Sequence, residues 1–380
     1  MHRTIVPFTA EHLDAAAELL TARHRADRCH DPRLPERFED PNVAREAIQA
    51  ALAERGASGA AALHEGSLTG YLIGAPLLAA PGSIAARYVR PRSVWIDQAG
   101  HAVEASDGYE TYRELYAVLA PIWLAAGCFT HYAELPAQDR QALAAWYSLG
   151  FGQEETRALR SVDAGAKNQF KLETASTVGT RTERATVPDR ELRTENREPG
   201  TENRELRTRN RDPVAFEIRR AGPDDLAAVL HLEEGLYRYH AAPPISLPYL
   251  PEALDGVRRE HQQAIVNPAH AYWLALQDGR AVGLQVFVPA SDSPMITPER
   301  CIHLDDAYVE QGGRSAGVGS ALLDRGLAWA REQGFDFCTV SWRTQNLSGG
   351  RFWPRNGFQP VRYQLSRSID ERIAWADGRQ

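Results

Sequence analysis

Arg314-Ser315-Ala316-Gly317-Val318-Gly319 decides the reading of this chain. It follows an extended apolar run, Cys301 to Val309, and opens a run in which Val318, Leu322, Leu323, Leu327 and Ala330 recur at helical spacing. A strand, a glycine turn and a helix start, in that order, make a place for an anion. The first turn of a helix carries N–H groups without intrahelical partners, and the macrodipole adds partial positive charge there. Glycines let the main chain close on phosphate, and Arg314 adds a full charge. R-x-x-G-x-G is short, so its weight depends on the residues around it.

Downstream, the helix stops near Gln333 at Gly334. A strand is expected over Phe335–Trp342, then Asn346, a short helix with Phe352-Trp353, and Gly357-Phe358. Upstream, the strand Phe216-Glu217-Ile218-Arg219 precedes an amphipathic run with Leu226, Val229 and Leu230, and Gln277-Asp278-Gly279 marks a hairpin. The same order occurs earlier. Thr4-Ile5-Val6-Pro7-Phe8 precedes Leu13, Ala16, Leu19 and Leu20; His64-Glu65-Gly66 marks a hairpin; and Gly150-Phe151 closes the series. Strands alternating with helices argue for an α/β (α+β) architecture, present twice. Trp123, Trp146 and Trp329 sit at helix-period apolar positions and are expected in the core.

The chain has 380 residues, 43% hydrophobic and 24% charged, with a net charge of −7. That balance gives no overall field for nucleic acid or anionic lipid. No apolar stretch approaches the roughly 20 residues of a membrane span, and the N-terminus reads as a strand rather than a signal core. Cys29, Cys128, Cys301 and Cys338 form no C-x-x-C pair and are expected as buried free thiols. The expectation is a cytoplasmic protein. Within residues 178–213, three heptads (190–196, 197–203 and 204–210) repeat, but only Leu192 and Leu206 in them are apolar, and Pro199-Gly200 interrupts. Two leucines make no coiled-coil seam. A disordered linker over 166–214 is expected between domains at 1–165 and 215–370.

At this point the rear half resembles the GCN5-related N-acetyltransferase (GNAT) superfamily. The resemblance rests on Arg314-x-x-Gly317-x-Gly319 and on Asn346-x-x-Gly349-x-x-Phe352-Trp353-x-x-x-Gly357-Phe358, over about residues 216–365. It implies two domains, each with a mixed, mostly antiparallel sheet flanked by helices, and acetyl-coenzyme A as co-substrate, with no metal. The pyrophosphate would rest on the N–H groups of Arg314, Ser315, Ala316, Gly317, Val318, Gly319 and Ser320. The pantetheine arm would pair with a strand edge splayed from its neighbour, the thioester near Tyr308 and Val309. Asn346 would fix the arm or, equally, cap the helix after it.

Transfer to an amine requires a group to take the ammonium proton. His303 stands where many members of the superfamily carry a catalytic Glu, and it is a candidate base or a residue that shapes the acceptor pocket. Asp305 and Asp306 are candidates to attract a cationic amine. Strand alternation predicts His303, Asp305, Ala307 and Val309 on one face and Ile302, Leu304, Asp306 and Tyr308 on the other. Tyr237, Tyr239 and His240 are candidate acceptor contacts, and the loop with Pro243-Pro244 and Pro248 a candidate lid. Trp353 replaces the superfamily's usual general acid, a Tyr, so Tyr363, Tyr237, Tyr239 or water is left for that role.

The front half keeps the second motif's spacing at Asp139, Ala142, Trp146 and Gly150-Phe151. Where the phosphate turn belongs it has Asp107, Glu110 and Tyr112, two anions and a bulky ring, and it is expected not to bind the cofactor. The resulting expectation is acetyl transfer to an amine of a small molecule or peptide by the rear half. The alternative is a non-catalytic acyl-coenzyme A sensor or scaffold. The acceptor and the oligomeric state are not legible.

Overall fold

The computed structural model describes residues 3–163, 215–290, 292–314 and 317–375. The repeat segment, with the linker expectation placed on it, lies outside the described residues, as do Ser315 and Ala316.

The front half runs β1 (Thr4–Pro7), α1 (Leu13–His30), α2 (Pro41–Ala53), β2 (Ser58–His64), β3 (Ser67–Leu78), β4 (Arg92–Ile96), β5 (His101–Val103), α3 (Gly108–Ala125), β6 (Thr130–Pro136), α4 (Arg140–Ser148) and β7 (Gly152–Ser161). The rear half runs β8 (Glu217–Arg220), α5 (Leu226–Ala241), α6 (Leu254–Ala264), β9 (Ala271–Gln277), β10 (Arg280–Pro289), β11 (Cys301–Val309), α7 (Val318–Glu332), β12 (Phe337–Arg343), α8 (Leu347–Arg355) and β13 (Gln359–Ser368). Both hairpins turn as their sequences dictate: Glu65-Gly66 has φ of 50° and 82°, and Asp278-Gly279 has 51° and 77°. Two consecutive positive φ values match the twist of the flanking strands. β12 starts at Phe337, two residues later than expected, because Gly334 at φ 84° and the Phe335 N–H to Ala330 O bond of 3.0 Å belong to the helix C-cap.

The strands form one sheet in the order β1-β2-β3-β4-β6-β13-β7-β12-β11-β10-β9-β8, with β5 on β3. Only β4 with β6 and β11 with β12 run parallel. The last strand of each half has crossed to the other. β7 pairs with β12 from Phe337 opposite Ser161 to Arg343 opposite Glu155, and β13 pairs with β6 from Arg362 opposite Pro136 to Ser368 opposite Thr130. Hydrophobic cores lie under α7, with Phe287 and Trp329, and under α3 and α4, with Trp123 and Trp146. Among the described residues no helix is long and apolar enough to cross a membrane.

Charged pairs hold the junction. Arg362 of β13 meets Glu134 of β6, and reaches Glu155 of β7 at 2.7 Å. Arg343 of β12 meets Glu154 at 2.8 Å, and Arg157 of β7 forks onto Asp292. Removing one partner of the Arg362–Glu134 pair, buried on both sides, leaves an uncompensated charge, at about 3–5 kcal/mol. Cys128, Cys301 and Cys338 are buried free thiols, whereas Cys29 is exposed, since it falls on the outer face of α1.

α7 approaches the sheet closely at Gly326, where an added Cβ would stand 2.2 Å from the Phe287 ring. Gly326→Ala should therefore destabilise the protein by about 1–3 kcal/mol, although alanine favours helix by about 1 kcal/mol. A lower urea midpoint with an unchanged slope checks this.

Candidate active site

β11 and β12 pair only from Cys301 opposite Phe337 to Leu304 opposite Val340. Beyond Leu304 they part, so the β12-facing edge of residues 305–309 carries main-chain groups without a strand partner. The parting coincides with a β-bulge. Val286 pairs with Asp306 while the next residue, Phe287, pairs with Leu304, which leaves Asp305 as the extra residue. The bulge overturns the expected alternation. Ile302, Leu304, Ala307 and Val309 all pack on the α7 side, while Tyr308 packs with α5 on the opposite side.

At the end of β11 the chain turns into α7. Gly317 has φ of 83°, and a Cβ there would meet nothing within 4 Å. The first helical bond is Ala321 N–H to Gly317 O at 3.0 Å, so the amides of Val318, Gly319 and Ser320 precede it. A Cβ on Gly319 would make only ordinary contacts, 3.5 Å to Phe352 and 3.8 Å to Val309. Arg314 folds back: its Nε donates to Val309 O at 2.9 Å, and its guanidinium lies 4.5 Å from the Tyr239 ring centroid. Asn346 caps α8 by accepting the Gly349 N–H at 3.0 Å, and it also accepts the Tyr239 hydroxyl at 3.2 Å. Tyr239 thus bridges the two glycine motifs.

The opening between the strands leads into a cleft of about 960 Å³ walled by both halves, with Tyr88, Glu155 and Arg157 from the front and His303, Asp305 and Asp306 from the rear. His303 Nδ1 sits 3.0 Å from Thr339 Oγ1, and its Nε2 lies 3.8 Å from Asp305. Burial, then the charge of Arg157, pushes His303 down to about 3, so it is neutral and a weak base. Asp305 is exposed to the cleft but withdrawn from bulk water by its walls. That withdrawal, then Glu260 and Asp292, pushes it up to about 6. Asp306 is raised further, by burial and then by Asp305 and Glu260.

The other predicted residues divide. His240 lines the cleft with its Nδ1 buried and unpartnered, and burial pushes it down to about 4. Tyr237 also reaches the cleft wall, but its ring lies 3.2 Å beneath the Arg87 guanidinium. Trp353 lines the cleft and packs edge-on against Phe352 and Phe358. Tyr363, a candidate acid, packs against the front core instead. Its strand is one of the exchanged pair, which carries it away from the cleft. No residue of the proline loop lines the cleft.

Sequence reasoning missed Glu233, His261, Arg87 and Arg157. Glu233 had a signal: it shares the apolar stripe of α5 with Val229, Leu232, Leu236 and Tyr237. It is 1% exposed and neither carboxylate oxygen has a hydrogen-bond partner. Burial, then Asp306 and Asp305, holds its carboxyl well above the usual range.

The front half has the same parting, since β4 pairs with β6 and β5 departs, but here it is plugged. His101 bonds Glu134 O at 2.9 Å and the Tyr112 hydroxyl at 2.9 Å. Arg23 of α1 donates to His101 O, and to Gln98 O at 2.6 Å. Tyr112 therefore fills the core under the sheet rather than the space of a turn, because it lies within α3. Asp107 and Glu114, at and near the start of α3, pair with Arg3.

Residues 236–358 match the acetyltransferase (GNAT) family. The match spans both glycine motifs of the rear half. A GCN5-related N-acetyltransferase from Sphaerobacter thermophilus is similar over 97% of this chain and 96% of its own, at 15% identity and a TM-score of 0.51, so the fold likeness extends through both halves. A tandem GNAT protein from the clavulanic acid biosynthesis pathway aligns over 97% of this chain and 98% of its own, at 14% identity and a TM-score of 0.45. The PaiA N-acetyltransferase from Thermoplasma acidophilum, in complex with coenzyme A, aligns over 41% of this chain and 99% of its own, at 18% identity and a TM-score of 0.33. No curated protein sequence matches this chain.

Ionising the buried, unpaired Glu233 would weigh against the unliganded fold. A carboxyl raised in the folded state costs stability as pH climbs above its unfolded value, and the cost is absent below that value. Glu233→Gln should raise the melting temperature of the unliganded protein at pH 8, with the gain shrinking toward pH 5.

Proposed function

We propose that this protein is an N-acetyltransferase that moves the acetyl group of acetyl-coenzyme A to an amine of a small molecule or peptide, using its rear half, in a ternary complex. The observation that carries this is the open β11 edge running straight into the amides at the start of α7, above an acidic cleft. The residues fit the cofactor: the edge of Asp305–Val309 would hold the pantetheine arm as an added strand. The amides of Val318, Gly319 and Ser320 would hold the pyrophosphate, with Arg314 swinging out from Val309 O and Tyr239 to add its charge. The acetyl-coenzyme A supplies the thioester carbonyl. The N–H near Val309 would donate to the carbonyl oxygen as charge develops.

Asp305 is the better base. It is ionised above about pH 6 and faces the cleft, whereas His303, near 3, gives a proton little reason to move. His303 is instead held by Thr339 beside the bulge. The amine nitrogen bonds to the carbonyl carbon, the carbon–sulfur bond breaks, Asp305 takes the ammonium proton, and the thiolate leaves. Tyr239, whose hydroxyl donates to Asn346 Oδ1, would protonate it. The front half acts as a wall, because its own parting is filled by Arg23, His101 and Tyr112.

Two experiments test this. Gly319→Glu should abolish acetyl-coenzyme A binding in calorimetry, while Glu110→Ala, at the corresponding front helix, should leave it unchanged; the reverse pattern would place the cofactor in the front half. For an amine substrate found by coenzyme A release, kcat/KM should fall as pH drops through about 6. Asp305→Asn should remove that limb and lower kcat by about 10²–10⁴-fold. Retained cofactor binding with no turnover of any amine would identify a non-catalytic module.

A further inference from the structure

Three groups from three elements converge behind the acceptor side of the cleft. Glu233 on α5, His261 on α6 and Asp306 on β11 each bring one ligand atom within 4.8 Å of the others. Asp306 and His261 line the cleft, and Glu233 stands directly behind them. Glu233 and His261 are 1% and 6% exposed, and both Glu233 oxygens lack a donor. The Tyr272 hydroxyl lies 3.0 Å from His261 Nδ1, which turns Nε2 toward Glu233 at 3.9 Å. With the Nδ1 proton on the Tyr272 side, Nε2 offers a lone pair. Burial pushes His261 down to about 4, so the ring is neutral. Arg87, a cation acting on both acids, lies over the Tyr237 ring, and among the described residues neither of its terminal nitrogens has a hydrogen-bond partner. The result is three ligand groups facing one another with neither Glu233 oxygen hydrogen-bonded, and a cation placed among them would favour the ionised form of both carboxyls.

Spacing and charge select that ligand. A tetrahedral nitrogen donating three bonds of about 2.9 Å puts its acceptors roughly 4–5 Å apart. Protein atoms about 2.1 Å from a zinc ion stand roughly 3–3.6 Å apart. The His261–Glu233 separation of 3.9 Å lies between these ranges, and the full triad, spread over up to 4.8 Å, is wide enough for an alkylammonium. Four carboxyl groups, Glu233, Asp306, Asp305 and Glu260, stand against the single charge of Arg87, so a bound cation would favour their ionised form. Yet a tripod of acceptors holds an amine in its charged form, and a charged amine is not a nucleophile. The nitrogen held there is therefore not the one that reacts.

We infer that Glu233, His261 and Asp306 form a recognition site for a spectator ammonium group, so that the acceptor carries at least two basic nitrogens. The second nitrogen, the nucleophile, lies beside Asp305. Asp305 and Asp306 are adjacent residues about 3.8 Å apart at Cα, and the bulge separates their side chains, so a short aliphatic chain joins the two nitrogens. Which nitrogen reacts rests on the acetyltransferase reading; the binding site does not.

The test is calorimetric titration of the full chain, with coenzyme A present, with 1,4-diaminobutane and with n-butylamine, alongside coenzyme A release from acetyl-coenzyme A. The diamine should bind on the order of 100-fold tighter, the worth of a desolvated charge pair. Glu233→Gln and His261→Gln should each collapse that ratio, whereas a merely structural loss would weaken both amines alike and leave it intact. Equal affinity for the two amines in the native protein overturns the inference. So does a ratio untouched by Glu233→Gln, which would mean that Arg87 serves this carboxylate. Stoichiometric zinc binding lost in His261→Gln overturns it in favour of a metal site. Tight diamine binding that depends on Glu233, with no coenzyme A release, sustains the site and sinks the acetyltransferase reading instead.

Discussion

Main-chain groups in the middle of a sheet must find partners, and the parting of β11 from β12 after Leu304 withholds them. The bulge at Asp305 makes the parting possible and aims the side chains around it. It turns Ala307 and Val309 into the α7 core, which anchors the end of β11. Both the polar edge and the amides at the start of α7 are thereby held in line. The front half faces the same constraint and meets it differently. Arg23, His101 and Tyr112 fill its parting with their own hydrogen bonds, so one half is open and the other sealed.

The exchange of β7 and β13 brings both halves to the walls of the cleft. Each strand completes the other half's sheet, so residues of both halves stand side by side on the cleft floor. Arg157 and Glu155 come from the front chain segment, and Arg362 and Gln364 from the rear. Their charges are matched across the junction, which lets a strongly polar floor remain buried. Arg157 also acts on the chemistry, because its charge helps keep His303 neutral. A residue of the sealed half thus tunes the open one.

Glycine turns, helix stops and hairpins were legible because each is a local conformational demand. Gly317, Gly334 and the Asp278-Gly279 turn adopt the left-handed backbone that their positions required. Asp139 and Asn346 cap equivalent helices, each accepting an N–H three residues on. The reading of β11 as a plain alternating strand failed at a single inserted residue, since period alone does not register a bulge. Cys29 failed for a similar reason: an apolar-looking residue near a helix end can face outward.

By itself the sequence determined the order of the elements, their punctuation and the glycine turn before α7, since neighbouring residues carry those signals. Only the tertiary structure decided which strands exchange, which half stays open and that Glu233, His261 and Asp306 meet. Arg362 and Glu134 are 228 positions apart, and nothing in either neighbourhood specifies the other. Burial and charge pairing across such distances are properties of the assembled sheet, set by which surfaces close on one another.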